Sequence, residues 1–218
     1  MQDVEIDDLR RKIERYENLL RSVGTDAAYL TGFVAALVRP VVLVGHSYAG
    51  AVISQTGREA GNVTGLVYVA AYAPEAGETL GAINARYPDV PLSAALRTFT
   101  YTDDRGEEAT DTFVDATLFH NAVCAEAPAD VADTLARTQR PASLAAFGTS
   151  VTGTPAWKTL PSWAVVATAD HAIHPQAERD MAKRAGSEIT EIDASHAVPA
   201  THPAEVAAVI VRAVKALT

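Results

Sequence analysis

Ser47, Asp170 and His196 have the residue types, chain order and settings from which a nucleophile, an acid and a base are built. Ser47 lies in Gly45-His46-Ser47-Tyr48-Ala49-Gly50, directly after the apolar run Val41-Val42-Leu43-Val44 and before a helical pattern from about Tyr48 to Arg58. A serine on so sharp a strand-to-helix turn needs small residues two positions either side, because the backbone there is strained and closely packed. Gly45 and Ala49 meet that need, and Gly50 follows. The turn lifts the hydroxyl above the sheet and aims the positive end of the helix at it. There the backbone N–H of Tyr48 is placed to steady an oxyanion. A plain glycine-rich turn of the dinucleotide-binding kind competes with this reading, but no G-x-G-x-x-G is present.

Serine is a weak nucleophile that needs a base in hydrogen-bond reach, and the base needs an acid to fix its tautomer. Both come later in the chain. The apolar run Trp163–Thr168 ends at Ala169-Asp170-His171, which puts Asp170 just past the carboxyl end of a strand, where open parallel sheets place function. A strand over Glu188–Ile192 leads into Asp193-Ala194-Ser195-His196, so His196 falls on the loop before the final helix. Glu75, after the second strand, is the alternative acid. His46 reads as packing or pocket lining beside the serine. His171 and His174 flank the acid without a thiolate partner and read as surface residues rather than metal ligands, as does His120.

The elements that must hold these residues follow from hydrophobic period. Strands at Val41–Val44, Gly65–Ala70, Trp163–Thr168 and Glu188–Ile192 alternate with helices at about Tyr48–Arg58, Gln176–Ala185 and Pro203–Leu217, which predicts an α/β fold with a mostly parallel sheet. Residues 74–160 differ in texture, with several prolines, an acidic turn Asp103-Asp104-Arg105-Gly106, and helical patterns near Thr110–Cys124 and Ala129–Thr138. They are expected to form a cap inserted into a core made of residues 25–73 and 161–218. Before the core, Ile6, Leu9, Ile13, Tyr16, Leu20 and Val23 alternate by three and four, the seam of a short coiled coil or of an amphipathic helix over residues 1–24. Gly24 is expected to stop that helix and Thr25 to cap the next, over Ala27–Leu37.

Bulk composition narrows the class. The chain has 218 residues, 48% of them hydrophobic, enough for one sizeable core. With 18 Lys and Arg against 27 Asp and Glu, its net charge of −9 argues against nucleic-acid binding, which leans on clustered cations. The single cysteine, Cys124, excludes an intrachain disulfide. Neither a signal peptide nor a span of about 18 apolar residues is visible, so a cytoplasmic protein without a membrane partner is expected.

The segments Val41–Ala51, Gly65–Glu78 and Pro161–Pro203 resemble the α/β-hydrolase superfamily, especially small bacterial esterase-like members with a helical cap. The resemblance implies nucleophile Ser47, acid Asp170, base His196 and an oxyanion donor at the Tyr48 N–H. The resemblance does not settle the substrate; the leading reading is a serine hydrolase acting on a small ester or related acyl substrate, with no cofactor and no metal. Tyr48, His46, Phe113, Phe119 and Trp157 are candidates to line an apolar pocket. The family pattern normally has strands before the nucleophile, one ending in a His-Gly turn that supplies a second oxyanion N–H. The 40 residues before Val41 read as helix and hold no such turn. Lacking one donor typically costs about 10²–10³ in rate, so a catalytically impaired binding protein and an enzyme completed by a partner chain stand beside the esterase reading. A bare Val41–Val44 edge and the apolar seam also point to a homo-oligomer.

Overall fold

A computed structural model describes residues 20–103 and 105–218. Its strands are β1 (Val41–Ser47), β2 (Val63–Ala71), β3 (Leu96–Thr102), β4 (Glu108–Val114), β5 (Ala142–Ser143), β6 (Ser162–Ala167) and β7 (Glu188–Ile192). Its helices are α1 (Val23–Ala35), α2 (Ala49–Glu59), α3 (Leu80–Asn84), α4 (Pro91–Ala95), α5 (Phe119–Val123), α6 (Ala129–Thr138), α7 (Leu144–Gly148), α8 (Pro175–Arg184), α9 (Val198–Thr201) and α10 (Pro203–Ala216).

Four parallel strands in the order β1-β2-β6-β7 form the frame. β6 is buried along its whole length and β2 along nearly all of it, as continuous apolar strands are when helices cover both faces of a parallel sheet. On one face α1, α2 and α8 bring Val34, Ile53 and Met181 into a core with Leu43, Leu66 and Tyr68. On the other, α10 lays Val206, Val209 and Ala213 against Val67, Val165 and Ile192. That i, i+3, i+7 stripe fixes the face α10 turns inward, and each fully buried valine contributes about 1.5–3 kcal/mol. The four expected core strands and the helices between them are all present, and the fold is the α/β architecture read from the sequence.

Three local expectations are corrected. Gly24 does not stop a helix: it lies in the first turn of α1, where Ser22 rather than Thr25 is the cap, its Oγ accepting from the Thr25 N–H. Ahead of this cap, Leu20 has φ +66° and its N–H donates to Asp26 Oδ2 at 2.9 Å. The proposed seam from Ile6 to Val23 otherwise falls on residues 1–19, outside the described residues. The helical pattern near Thr110–Cys124 is a strand over Glu108–Val114 and a helix only over Phe119–Val123. β4 pairs antiparallel with β3, Leu96 opposite Val114 and Thr102 opposite Glu108, and the Gly106 N–H donates to Asp103 O in the turn between them. β5 adds a third strand, so the segment between β2 and β6 combines a small sheet with short helices. β-branched threonines with alternating Phe99 and Tyr101 suit a pleated surface better than a helix.

Among the described residues β1 pairs only with β2 and is an edge of the sheet. Val44 on that edge is 43% exposed, and Phe33 of α1 and Val38 beyond it are exposed as well. No described helix is long and apolar enough to cross a membrane.

Candidate active site

β1 runs into α2 through Ser47 and Tyr48 alone. Ser47 takes φ +56°, a left-handed conformation that costs a non-glycine residue about 1–2 kcal/mol. Close packing on both sides enforces it. A Cβ on Gly45 would stand 2.7 Å from the Ala49 carbonyl oxygen, and one on Gly50 only 2.3 Å from that of Tyr72. The Tyr72 N–H donates to the Ser47 carbonyl, tying the turn to the end of β2. Ser47 is half-buried, and its hydroxyl makes no hydrogen bond to a described residue. The Tyr48 N–H stands at the N-terminus of α2, among the donors a helix leaves without an internal partner.

Asp170 and His196 meet because the β6–β7 ladder continues past the strands. Thr168 N donates to Ile192 O at 2.9 Å and Ala169 N to Ala194 O at 3.1 Å, which holds the two following loops side by side. His196 Nδ1 lies 2.6 Å from Asp170 Oδ2. The other Asp170 oxygen accepts from the N–H groups of Ala172 (2.6 Å) and Ile173 (2.9 Å), a rigid cradle formed by the turn into α8. Both side chains are buried. Burial alone would push the Asp170 carboxyl up, but the His196 imidazole and the two backbone donors outweigh it and hold Asp170 below its ordinary value.

His46 ties the serine turn to this pair. Its Nε2–H donates to the His196 carbonyl at 2.8 Å, and the two imidazoles lie 4.7 Å apart. Burial, then the neighbouring His196, lowers His46 to about 4, so it is neutral and serves as a strut rather than a base. The other expected residues separate. Glu75 pairs with Lys158 at 2.7 Å, and it is Asp170 rather than Glu75 that meets His196. His171 Nδ1–H donates to Asn121 O, His120 Nε2–H donates to Ala127 O, and His174 Nδ1 caps α8 by accepting from Gln176 N. Among the described residues no group of His, Cys, Asp or Glu side chains is placed to hold a metal ion.

The apolar lining is corrected in part. The Tyr48 side chain turns into the core, where its hydroxyl donates to Asp26 Oδ2 at 2.8 Å, so only its backbone faces the site. Burial, with the Asp26 carboxylate, pushes that phenol up. Trp157 is buried and donates to Pro74 O, while Phe113 stands on the outside of the β3–β4 hairpin against Phe99. Phe119 is buried with Cys124 and Ala197 behind the histidine loop. A groove of roughly 1250 Å³ opens elsewhere, beside Arg21, Tyr101, Asp111 and Ser143, and none of Ser47, Asp170 and His196 lines it.

Two residues of the site were not singled out in the sequence. Glu126, between α5 and α6, accepts from Ser195 N at 2.9 Å and from the Thr201 hydroxyl at 2.8 Å, clamping the loop that carries His196. Glu178 of α8 is buried against Asp170 and accepts from Ala167 N at 3.1 Å. A signal for Glu178 existed: it falls within the apolar stripe Ala177, Met181, Ala182 of an otherwise charged helix.

Solved structures of the same fold include polyneuridine aldehyde esterase, 15% identical with a TM-score of 0.72, covering 86% of this chain and 77% of that one. A methylesterase from Arabidopsis is 16% identical with a TM-score of 0.73, covering 92% and 80%. A pyrethroid hydrolase from Sphingobium faniae is 19% identical with a TM-score of 0.68, covering 89% and 78%. No curated protein matches the sequence. The sequence itself matches the alpha/beta hydrolase family over residues 10–209, nearly its whole length, and with the parallel sheet built as described the chain belongs to that family.

Proposed function

We propose that the chain is an esterase-like serine hydrolase that cleaves a small ester or related acyl substrate. Ser47 Oγ attacks the carbonyl carbon while His196 Nε2 takes the hydroxyl proton. Asp170 holds the Nδ1–H and steadies the imidazolium, and the Tyr48 N–H donates to the oxyanion. His196 then returns the proton to the departing alcohol, leaving an acyl-enzyme on Ser47. Water, deprotonated by His196, attacks that acyl carbon, and the serine regains its proton as the acid leaves. The observation that carries this reading is the 2.6 Å contact of His196 with a cradled Asp170, in the corner where Ser47 is held at φ +56°. That two fold neighbours are named esterases and another a pyrethroid hydrolase favours an ester over other acyl groups. Residues 74–160 act as the cap: α5 and the turn after it already hold the histidine loop through Val123 and Glu126.

A fluorophosphonate probe followed by intact mass tests this directly. One label per chain is expected, lost in Ser47→Ala with the fold intact; an unlabelled wild-type chain would leave the inert binding protein as the better description. The β1 edge, which pairs only with β2 among the described residues, and exposed Val44 and Phe33 favour self-association. Light scattering at low micromolar concentration is then expected to give a multiple of 23.0 kDa, and a clean monomer rules the oligomer out.

A further inference from the structure

The acid of the triad has a second carboxyl behind it. Glu178 is 3% exposed, and its Oε1 is fully buried with no hydrogen-bond partner as an acceptor among the described residues. An orphaned buried oxygen is rare in folded proteins and calls for a cause. The space beside Glu178 measures about 10 Å³ and is lined by Tyr68, whose hydroxyl is engaged by Ser54, and otherwise by alanines and valines. The Asp170 carboxyl is the ionisable group that acts on Glu178 most closely, and when ionised it can only accept. Two ionised carboxylates cannot share that position in a dry interior, so the pair retains a proton.

The chemistry on each side decides where that proton sits. Asp170 already accepts three protein donors, from His196, Ala172 and Ile173, and a carboxylate has room for a fourth. Glu178 accepts only one, from Ala167. The other titratable groups around it do not reverse the balance. Arg179 on the same helix is turned outward onto Glu191 by two 2.8 Å bonds, and the Tyr68 and Tyr72 hydroxyls are engaged by Ser54 and Asn84. No described cation forms an ion pair with Glu178.

We propose that Glu178 stands behind the triad as a neutral carboxylic acid whose Oε1–H donates to the Asp170 carboxylate, a positioning residue that fixes the acid's plane and tempers its charge. The proposal rests on reading Asp170 as the triad acid. Burial and the like charge of Asp170 both push the Glu178 carboxyl well above the carboxylate range, in keeping with the proton it holds. No proton moves between the two carboxyls in the cycle. Glu178 supplies a fourth donor so that Oδ2 stays directed at His196.

Glu178→Gln and Glu178→Leu separate the possibilities. The glutamine amide keeps a donor for Asp170 and an acceptor for the Ala167 N–H, so kcat is expected to stay within about threefold of wild type and the pH midpoint of kcat to stay in place. Leucine removes the donor: kcat falls about tenfold with KM unchanged. The midpoint then rises, because the undamped Asp170 charge favours the imidazolium. If Glu178 were instead ionised, Glu178→Gln would delete a negative charge near His196 and lower the midpoint by about a unit, which overturns the proposal. An infrared measurement in the Ser47→Ala background needs no turnover and so stands apart from the hydrolase reading. It should show a protonated-carboxyl band at pH 7.5 that disappears on adding Glu178→Gln. Absence of that band refutes the neutral acid even where activity is normal. Its presence in a chain that hydrolyses nothing refutes the hydrolase alone. Should Glu178→Leu fail to fold, the glutamine variant and the infrared band still decide.

Discussion

Asp170→Asn changes one atom of the proposed triad and leaves its shape intact. The asparagine carbonyl can keep accepting from the Ala172 and Ile173 N–H groups, which fixes its orientation. The amide nitrogen is then left facing His196 Nδ1, where the 2.6 Å bond now stands. Two donors cannot share that contact. The imidazole relieves it by moving its proton to Nε2, and the base thereby loses the lone pair that would take the Ser47 proton. The imidazolium of the transition state also loses its counter-charge, worth about 4 kcal/mol for unit charges some 4 Å apart at an effective dielectric near 20. A charge-assisted hydrogen bond contributes a further 1.5–3 kcal/mol that partly overlaps this. Together they amount to about 4–6 kcal/mol, a fall in kcat of about 10³–10⁴. Initial rates on a nitrophenyl ester at saturating substrate measure it, with thermal unfolding to confirm that the variant is folded. Glu75→Gln, which touches the Lys158 pair and the Ala76 N–H, is expected to stay within about twofold of wild type. A folded Asp170→Asn protein within tenfold of wild type, or a crippled Glu75→Gln, would refute the assignment of the acid.

Gly50→Ala sets a methyl 2.3 Å from a backbone oxygen that cannot rotate away, so a loss of at least about 3 kcal/mol is expected in urea unfolding; a loss under 1 kcal/mol would show that the turn has slack. His46, lowered to about 4 from an ordinary 6.5, contributes stability that is complete above pH 6.5 and lost as pH falls towards 4, up to about 3 kcal/mol. Urea midpoints at pH 7 and pH 4.5 should therefore converge in His46→Gln relative to wild type, and an identical acid loss in both would place its cause elsewhere. Glu126→Ala strands the Ser195 N–H and frees the histidine loop, so kcat should drop about tenfold with KM little changed; a pure KM effect would assign Glu126 to substrate binding instead.

The frame and the chain order of the candidate residues were legible in the sequence alone. Apolar runs at Val41–Val44 and Trp163–Thr168, the small residues around Ser47, and the succession serine, acid, histidine are local patterns, and local sterics enforce them: Gly45 and Gly50 have no room for a side chain. The elements that went astray were those whose local pattern was ambiguous. Thr110–Val114 has residues that suit a helix or a strand, and only pairing with Leu96–Thr102 across a turn settled it. Tertiary structure also decided which way side chains point. Tyr48 reads as pocket lining beside a nucleophile, yet Asp26, 22 residues earlier, draws its hydroxyl into the core. Glu126 and Glu178 are single charges among many in the sequence. One gains its place from a loop 69 residues away, the other from a desolvated contact with Asp170. Hydrogen bonds and desolvation act over a few ångströms of space, whatever the distance along the chain, and that is why the fold had to bring these groups together before their chemistry could be read.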